Sequence, residues 1–319
     1  MFARLFRLLL LFALTPAAQA ADAGAAVSVP MPLVQLGAYS YFVQGQSGAA
    51  SGENQGFMSN AGFVVTPAGV VVFDALASPP LAGKLLGLIR SVTPQPIRIA
   101  IVSHYHADHF YGLQVFKAAG AEIWAHRAAE GATRSEAAAA RLAQRKEALF
   151  PWVDEKTQLI EADRFLEGDT DFELGGVHFA LRHVGPAHSA EDLAMLVRED
   201  GALYAGDLVF RGRVPYVGDA DSRAWIGALD RLIALQPRVL IPGHGAPSND
   251  PAADLVFVRD YLEYLRREMG RAARDFVPFE AAYAQTDWSE YRDLPAFEES
   301  NRVNAYNQYL RLEQEGDAD

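Results

Sequence analysis

Cysteine is absent from all 319 residues, which excludes disulfide bonds and leaves any metal site to histidine and carboxylate ligands. Basic residues are scarce: 28 Lys and Arg stand against 40 Asp and Glu, a formal net charge of −12. That balance argues against a nucleic-acid partner, because phosphate backbones are held by a basic footprint. It leaves room for a small anionic substrate held by a few local arginines. Long hydrophobic runs are missing too, and the N-terminal one, Leu8 to Leu14, is too short to span a bilayer. There is no short-period repeat, coiled-coil heptad or low-complexity tract.

Residues 1–20 have the pattern of a secretory signal peptide. Arg4 and Arg7 form the charged region, Leu8 to Leu14 the apolar region, and Ala18-Gln19-Ala20 the small-residue cleavage site. Their removal leaves 26 basic and 40 acidic residues, a charge of −14. The expected mature chain starts near Ala21 and is periplasmic or secreted, with no membrane attachment after cleavage. Oligomeric state is left open.

Ala21 to Pro32 is small-residue-rich and is expected to be a loose lead-in. Leu36 to Gln44 and Gly62 to Asp74 are expected strands, separated by a Gly/Ser-rich loop over 45–56. Ser78 before Pro79-Pro80 starts a helix bearing Leu81, Leu85, Leu88 and Ile89. Ile97 to Val102 reads as a buried strand, Ala121 to Ala125 as another, and 127–148 as a helix. A second series follows: strands at 172–174, Val177 to Val184, Leu193 to Val197 and Ala202 to Ala205, then a helix capped by Ser222. Val239 to Ile241 is a last buried strand, and Leu255 to Met269 an amphipathic helix. Mixed strands with helices outside imply two sheets flanked by helices. Residues 21–249 are expected to form that α/β domain, with 250–319 a helical extension packed on it.

The densest chemical signal is His104-Tyr105-His106-Ala107-Asp108-His109, four metal-ligand side chains in six residues at a strand end. Open α/β sheets place their sites there, and imidazole with carboxylate suits zinc and its neighbours. Four further polar residues stand where apolar strands emerge: Asp74, His188 in Gly185-Pro186-Ala187-His188-Ser189, Asp207 in Gly206-Asp207, and His244 in Pro242-Gly243-His244-Gly245. Taken singly, each fits a turn or cap residue.

In this order the fragments, spread over residues 60–248, resemble the metallo-β-lactamase superfamily. The resemblance implies a four-layer αβ/βα sandwich with a dinuclear metal site at one edge of two mixed sheets. Carried over by position, one metal is held by His104, His106 and His188, and the second by Asp108, His109 and His244. Asp207 bridges them, and Asp74 fixes ligand loops by hydrogen bonds without binding metal. Two zinc ions are implied, with iron or manganese also suited to such ligands. The implied chemistry is attack by a metal-bridging hydroxide, positioned by Asp108 and the metals, with Asp207 as the bridging catalytic carboxylate. The implied substrate is a small ester, thioester, lactone or amide.

His106 stands where the flavodiiron branch carries Glu. Asp207 stands where true β-lactamases carry Cys or Ser. Lactam hydrolysis is thereby demoted but kept, and the ligand set is similar to glyoxalase II-type thioesterases and lactonases. Residues 250–319 show no basic cluster like a glutathione site. A looser likeness is to periplasmic metallohydrolases associated with quinoprotein oxidation. Two alternatives stay open: a mononuclear iron enzyme resembling persulfide dioxygenases, and a non-catalytic periplasmic metal carrier. Tyr105, Arg211, Arg213 and Tyr216 are candidate substrate contacts, and loop 45–56 is a flap or a plain turn. His126, His178 and His183 are read as structural.

Overall fold

A computed structural model describes residues 25–218 and 220–316. The expected signal peptide lies outside the described residues. The first sheet has seven strands in sequence order: β1 (Leu33–Gln35), β2 (Ser40–Val43), β3 (Ala61–Thr66), β4 (Gly69–Phe73), β5 (Ile97–Ile101), β6 (Glu122–His126) and β7 (Arg164–Leu166). Pairing is antiparallel up to β4 and parallel from β4 to β7. The second sheet runs β12-β11-β10-β9-β8, from β8 (Thr170–Leu174), β9 (Val177–His183), β10 (Leu193–Val197), β11 (Ala202–Tyr204) and β12 (Val239–Ile241). Its β11–β12 pair is parallel and the rest antiparallel.

Side-chain alternation along buried strands sorts residues between layers. Val71 and Phe73 of β4 face the second sheet, meeting Phe179, Leu181, Met195 and Tyr204. Val70 and Val72 face outward onto α1 (Pro79–Val92) and, further along, α3 (Leu113–Ala118), which follows the one-turn helix α2 (Ala107–Phe110). α4 (Glu136–Leu149) is solvated and buries only Leu149. The outer face of the second sheet is covered by α5 (Ser222–Ala234) and α6 (Pro251–Arg274) through Trp225, Leu229, Leu255, Leu262 and Met269. Ala305 and Tyr309 of α8 (Arg302–Gly316) join the same core, after the short α7 (Phe279–Gln285) and a π-helical turn at Phe297–Asn301. The result is the expected four-layer αβ/βα sandwich.

Several local expectations differ. The strand expected over Leu36–Gln44 begins at Ser40. Asp200, in the turn after β10, accepts hydrogen bonds from the amides of Ala38, Tyr39 and Ser40 at 2.8, 3.0 and 2.8 Å, which bends residues 36–39. The expected loose lead-in places Val29 and Met31 in the core, and an unanticipated strand, β1, follows it at Leu33–Gln35. Ser78 caps α1 as expected, but α5 is capped by Asp221, whose carboxylate accepts from the Ala224 amide, with Ser222 its first residue. The helix expected at 127–148 is two 3-10 turns followed by α4, separated by left-handed Gly131. β7 and α8 were not anticipated, being short or polar-rich.

At the end of the sandwich opposite the strand C-termini of β4 and β5, Asp200 ties the two sheets together. Tyr204 adds a second tie, donating its hydroxyl to the Tyr41 and Phe63 carbonyls at 3.0 and 3.3 Å. Its ring fills the space over Gly62, where a Cβ would lie 2.2 Å from Cε1. Asp200→Ala strands three partly enclosed amides, a loss of about 2–4 kcal/mol. The expected outcome in thermal melts is a midpoint roughly 5–10 °C lower, with Asp200→Asn retaining part of the difference.

Candidate metal centre

Each of the seven candidate ligands leaves a strand end on the same edge of the sandwich. β5 delivers His104 to the turn before α2. His106 is the residue before the first turn of α2, and Asp108 and His109 lie within it. His188 lies in the β9–β10 connection, Asp207 in the 3-10 turn Gly206–Leu208 after β11, and His244 after β12. Their donor atoms form two groups: His104, His106, His188 and Asp207, and Asp108, His109 and His244, each within 4.8 Å. All are buried except His106, which is half-buried.

The first group is a convergence of ring nitrogens. His106 Nδ1 lies 3.0 Å from His104 Nε2 and 2.9 Å from His188 Nε2. Three lone pairs facing one point repel unless a cation or a shared proton lies among them. Tetrahedral zinc with Zn–N bonds of about 2.0–2.1 Å would set neighbouring nitrogens roughly 3.3 Å apart, close to what is observed. Asp207 faces both groups. Its Oδ2 is 3.4 Å from His188 Nε2 and 3.7 Å from His104 Nε2, while Oδ1 is 3.1 Å from His109 Nε2 and 3.3 Å from His244 Nε2. Buried His109 Nε2 and Asp207 Oδ1 nonetheless have no hydrogen-bond partner of good geometry. Native interiors rarely leave such atoms unmatched, and a cation would satisfy both. The donor set, imidazole and carboxylate without thiolate, suits zinc, iron or manganese.

Outer hydrogen bonds fix which nitrogen faces inward. His244 Nδ1 donates to the Met58 carbonyl at 2.9 Å, leaving Nε2 for the site. His109 Nδ1 donates to Asp74 Oδ2 at 2.8 Å. Ser103 Oγ donates to the same oxygen at 2.8 Å and accepts from His104 Nδ1 at 2.9 Å, so Asp74 orients two imidazoles. Asp74 also accepts from the Ser103 amide at 2.8 Å. This loop is strained: Asp74 and Leu76 both have φ of +64°. It is held by Ala75 N–H to the His109 carbonyl at 2.7 Å and Gly112 N–H to the Leu76 carbonyl at 3.2 Å. Room for Asp207 comes from Gly243, where a Cβ would lie 2.0 Å from Asp207 Oδ1.

Burial pushes His104, His106 and His188 below the ordinary histidine range, His188 to about 3, so these rings stay neutral donors of lone pairs. Burial acts the same way on His109 and His244, but the Asp207 and Asp108 carboxylates outweigh it and raise both, His244 to about 9. Burial raises Asp108 and Asp207 in turn, and the same two imidazoles overcome it and hold them below the usual carboxylate range. The two carboxylates and these two imidazoles thus favour each other's charged forms.

A family model described as the metallo-beta-lactamase superfamily matches residues 54–244. The chain belongs to that superfamily. Within this metallo-beta-lactamase framework, it is 22% identical over 217 residues to a linear primary-alkylsulfatase from Pseudomonas sp., covering 58% of this chain and 41% of the relative. It is 27% identical over 187 residues to the acyl-coenzyme A thioesterase MBLAC2 of Gallus gallus, covering 51% and 61%. The chain thus spans about half the length of the curated relatives it matches. Among solved structures, a metallo-beta-lactamase from Pontibacter korlensis aligns with a TM-score of 0.57 at 19% identity, covering 73% of this chain and 99% of that one. A stereoselective inverting sec-alkylsulfatase from Pseudomonas sp. aligns at 0.67 and 19% identity, covering 88% and 50%. These structural likenesses concern the fold.

The centre opens into a cavity of about 600 Å³ lined by His106, Asp108, Asp207 and His244 on one side. Ser47, Gly48 and Ala49 of the Gly/Ser-rich loop line it, as do Arg213 and Tyr216. Two other candidate contacts do not. Tyr105 lies between two inward-facing histidines, and extended alternation turns it the other way. Its ring packs on Phe110 in the core, with centroids 4.7 Å apart. Arg211 turns outward to Asp254 at 3.0 Å and to the Pro247 carbonyl at 3.2 Å. The sequence reading overlooked Arg141 and Arg145 of α4, Phe210, and Glu299 and Ser300 of the π-helical turn, all of which line the cavity. It also overlooked Asn60, whose Nδ2 holds the Pro242 and Gly245 carbonyls at 2.8 Å each and so fixes the His244 loop. Only the one-turn spacing of Arg141 and Arg145 on a predicted helix was visible beforehand. Outside the cavity, His126 and His183 stack at 3.3 Å, and exposed His178 pairs with Glu199 at 2.7 Å.

Asp74→Ala removes the acceptor for His109 and for Ser103. Metal affinity, read by competition with a chelator, is expected to fall roughly 10–100-fold. Far-ultraviolet circular dichroism should stay unchanged. An affinity equal to that of the parent would contradict the role assigned to Asp74.

Proposed function

We propose that the protein is an exported, metal-dependent hydrolase with a dinuclear centre, acting on a small ester, thioester, lactone or amide. The observation that carries this reading is the placement of Asp207 with one oxygen toward each ligand group. A carrier of single ions has no need of a carboxylate shared between two sites. His104, His106 and His188 would hold one ion, Asp108, His109 and His244 the other, and Asp207 both. The thioesterase and sulfatase names of two relatives support hydrolysis of a small molecule. Zinc is the metal best matched to five imidazoles and two carboxylates. Export rests on the Arg4, Arg7, Leu8 to Leu14 and Ala18 to Ala20 pattern.

When bound, a pair of divalent ions lowers the pKa of water and polarises the bond to be cleaved. The remaining steps fall to the chain. Asp108 is the more accessible of the two central carboxylates, its side chain 12% exposed against 5% for Asp207. It accepts a hydrogen bond from the attacking water, orients it, and can pass the proton to the leaving group. The Asp74 and Met58 contacts keep His109 and His244 from turning as charge moves through the site. Ser47 to Ala49 and Phe210 form part of the cavity wall beside these ligands.

Protein matured in the periplasm is expected to begin near Ala21 and to carry about two zinc ions per chain. It is expected to hydrolyse members of a panel of thioesters, lactones and activated esters. Asp207→Ala should lose metal and reduce turnover roughly 10²–10³-fold. His106→Ala should do the same. About one iron per chain with oxygen uptake on persulfides would instead support oxygenase chemistry. Two bound ions without turnover of any substrate would support a carrier.

A further inference from the structure

Arg213 is 8% exposed, lines the metal cavity, and has Nε and Nη1 buried without a hydrogen-bond partner. A guanidinium does not shed its proton, so an enclosed one must be paired or be kept for a ligand. The carboxylates whose fields reach it from the site, Asp207 and Asp108, are already engaged with imidazoles. Glu299 lines the same cavity but is exposed at its rim.

The position of Arg213 is built rather than incidental. Its guanidinium lies over the Phe210 ring at 5.9 Å, and Phe210 stacks on His244 at 5.0 Å with 4° between the planes. The next residues are clamped from the C-terminal helices. Val214 N–H donates to the Pro295 carbonyl at 3.0 Å, Val217 N–H to Asn304 Oδ1 at 2.9 Å, and Asn304 Nδ2 to the Pro215 carbonyl at 2.7 Å. Arg141 and Arg145, one turn apart on the solvated helix α4, line the same cavity.

We propose that Arg213, with Arg141 and Arg145 of α4 lining the same cavity, forms an anion subsite selecting substrates with a carboxylate, sulfate or phosphate on the non-reacting part of the molecule. The subsite rests on the hydrolase reading and names its substrate class. It differs from anchoring of the bond under attack, because Arg213 is not among the seven ligand side chains and packs on the Phe210 ring. An oxyanion bound at Arg213 pairs the orphaned guanidinium atoms by charge-assisted hydrogen bonds and orients the scissile group toward Asp108 and Asp207. Loading the centre with divalent ions neutralises Asp108 and Asp207, so the cavity becomes more cationic and favours an anion further.

The test compares zinc-loaded parent, Arg213→Met, Arg213→Lys and Arg141→Ala/Arg145→Ala on matched esters. One is neutral p-nitrophenyl butyrate and the other is its anionic counterpart, mono-p-nitrophenyl succinate. For Arg213→Met, kcat/KM is expected to fall at least about tenfold more on the anionic ester than on the neutral one, with Arg213→Lys partly restoring the difference. The double variant lies on an exposed helix, so its fold is not at stake, and it should shift the same ratio in the same direction. Inhibition by acetate, sulfate or inorganic phosphate that disappears in Arg213→Met supports the subsite and ranks the three oxyanions. Equal losses on both esters, or an unchanged ratio in every variant, would overturn it. Calorimetric titration with succinate is read separately: the parent should bind it at least about tenfold tighter than Arg213→Met. If no ester is turned over but this difference holds, the hydrolase reading fails and the anion subsite stands.

Discussion

Three buried carboxylates, Asp74, Asp108 and Asp207, and five imidazoles share one edge of the sandwich, and their mutual compensation governs everything near it. A lone carboxylate at that depth would be neutralised by its surroundings. Here His109 and His244 hold Asp108 and Asp207 below the usual carboxylate range, while burial lowers His104, His106 and His188. The Asp207 and Asp108 carboxylates raise His109 and His244 against the effect of burial. Divalent ions at those nitrogens would compete with protons, coupling metal loading to proton release.

The rest of the architecture keeps eight polar side chains from moving apart. Asp74 gathers β4, β5 and α2 by accepting from the Ser103 amide, the Ser103 hydroxyl and His109. Asn60 joins the first sheet to the His244 loop of the second. Asp200 at the opposite end, and Tyr204 where β11 leads into the Asp207 turn, lock the sheets against sliding. A shift of one strand would carry a ligand several ångströms away, so these ties set the precision of the centre. Local strain, such as the positive φ of Asp74 and Leu76, is tolerated because surrounding hydrogen bonds over-determine it.

Much of this was legible in the linear chain for a simple reason. Buried strands such as Val70 to Phe73 and Ile97 to Ile101 carry unbroken β-branched runs, and a polar residue just after such a run is conspicuous. The superfamily and the layered fold followed from the order of those residues. What escaped depends on contacts distant in sequence. The break before Ser40 is set by Asp200, about 160 residues later. The cap at Asp221 rather than Ser222 is a one-residue matter that backbone geometry decides. Tyr105 and Arg211 look like Arg213 in the sequence, yet one faces the core and another a surface carboxylate. α8 was missed because its buried face is made of Asn304, Ala305, Gln308 and Tyr309, a polar set that packs through hydrogen bonds to Tyr261, Pro215 and Ser222.

Whether the seven side chains would hold two ions that share Asp207 is decided by anomalous diffraction at the zinc edge on crystals of zinc-loaded protein. Two peaks about 3.5–4 Å apart are expected. One should lie within bonding distance of His104, His106 and His188, the other of Asp108, His109 and His244, with Asp207 between them. A single peak, or two peaks without Asp207 between them, would contradict that sharing.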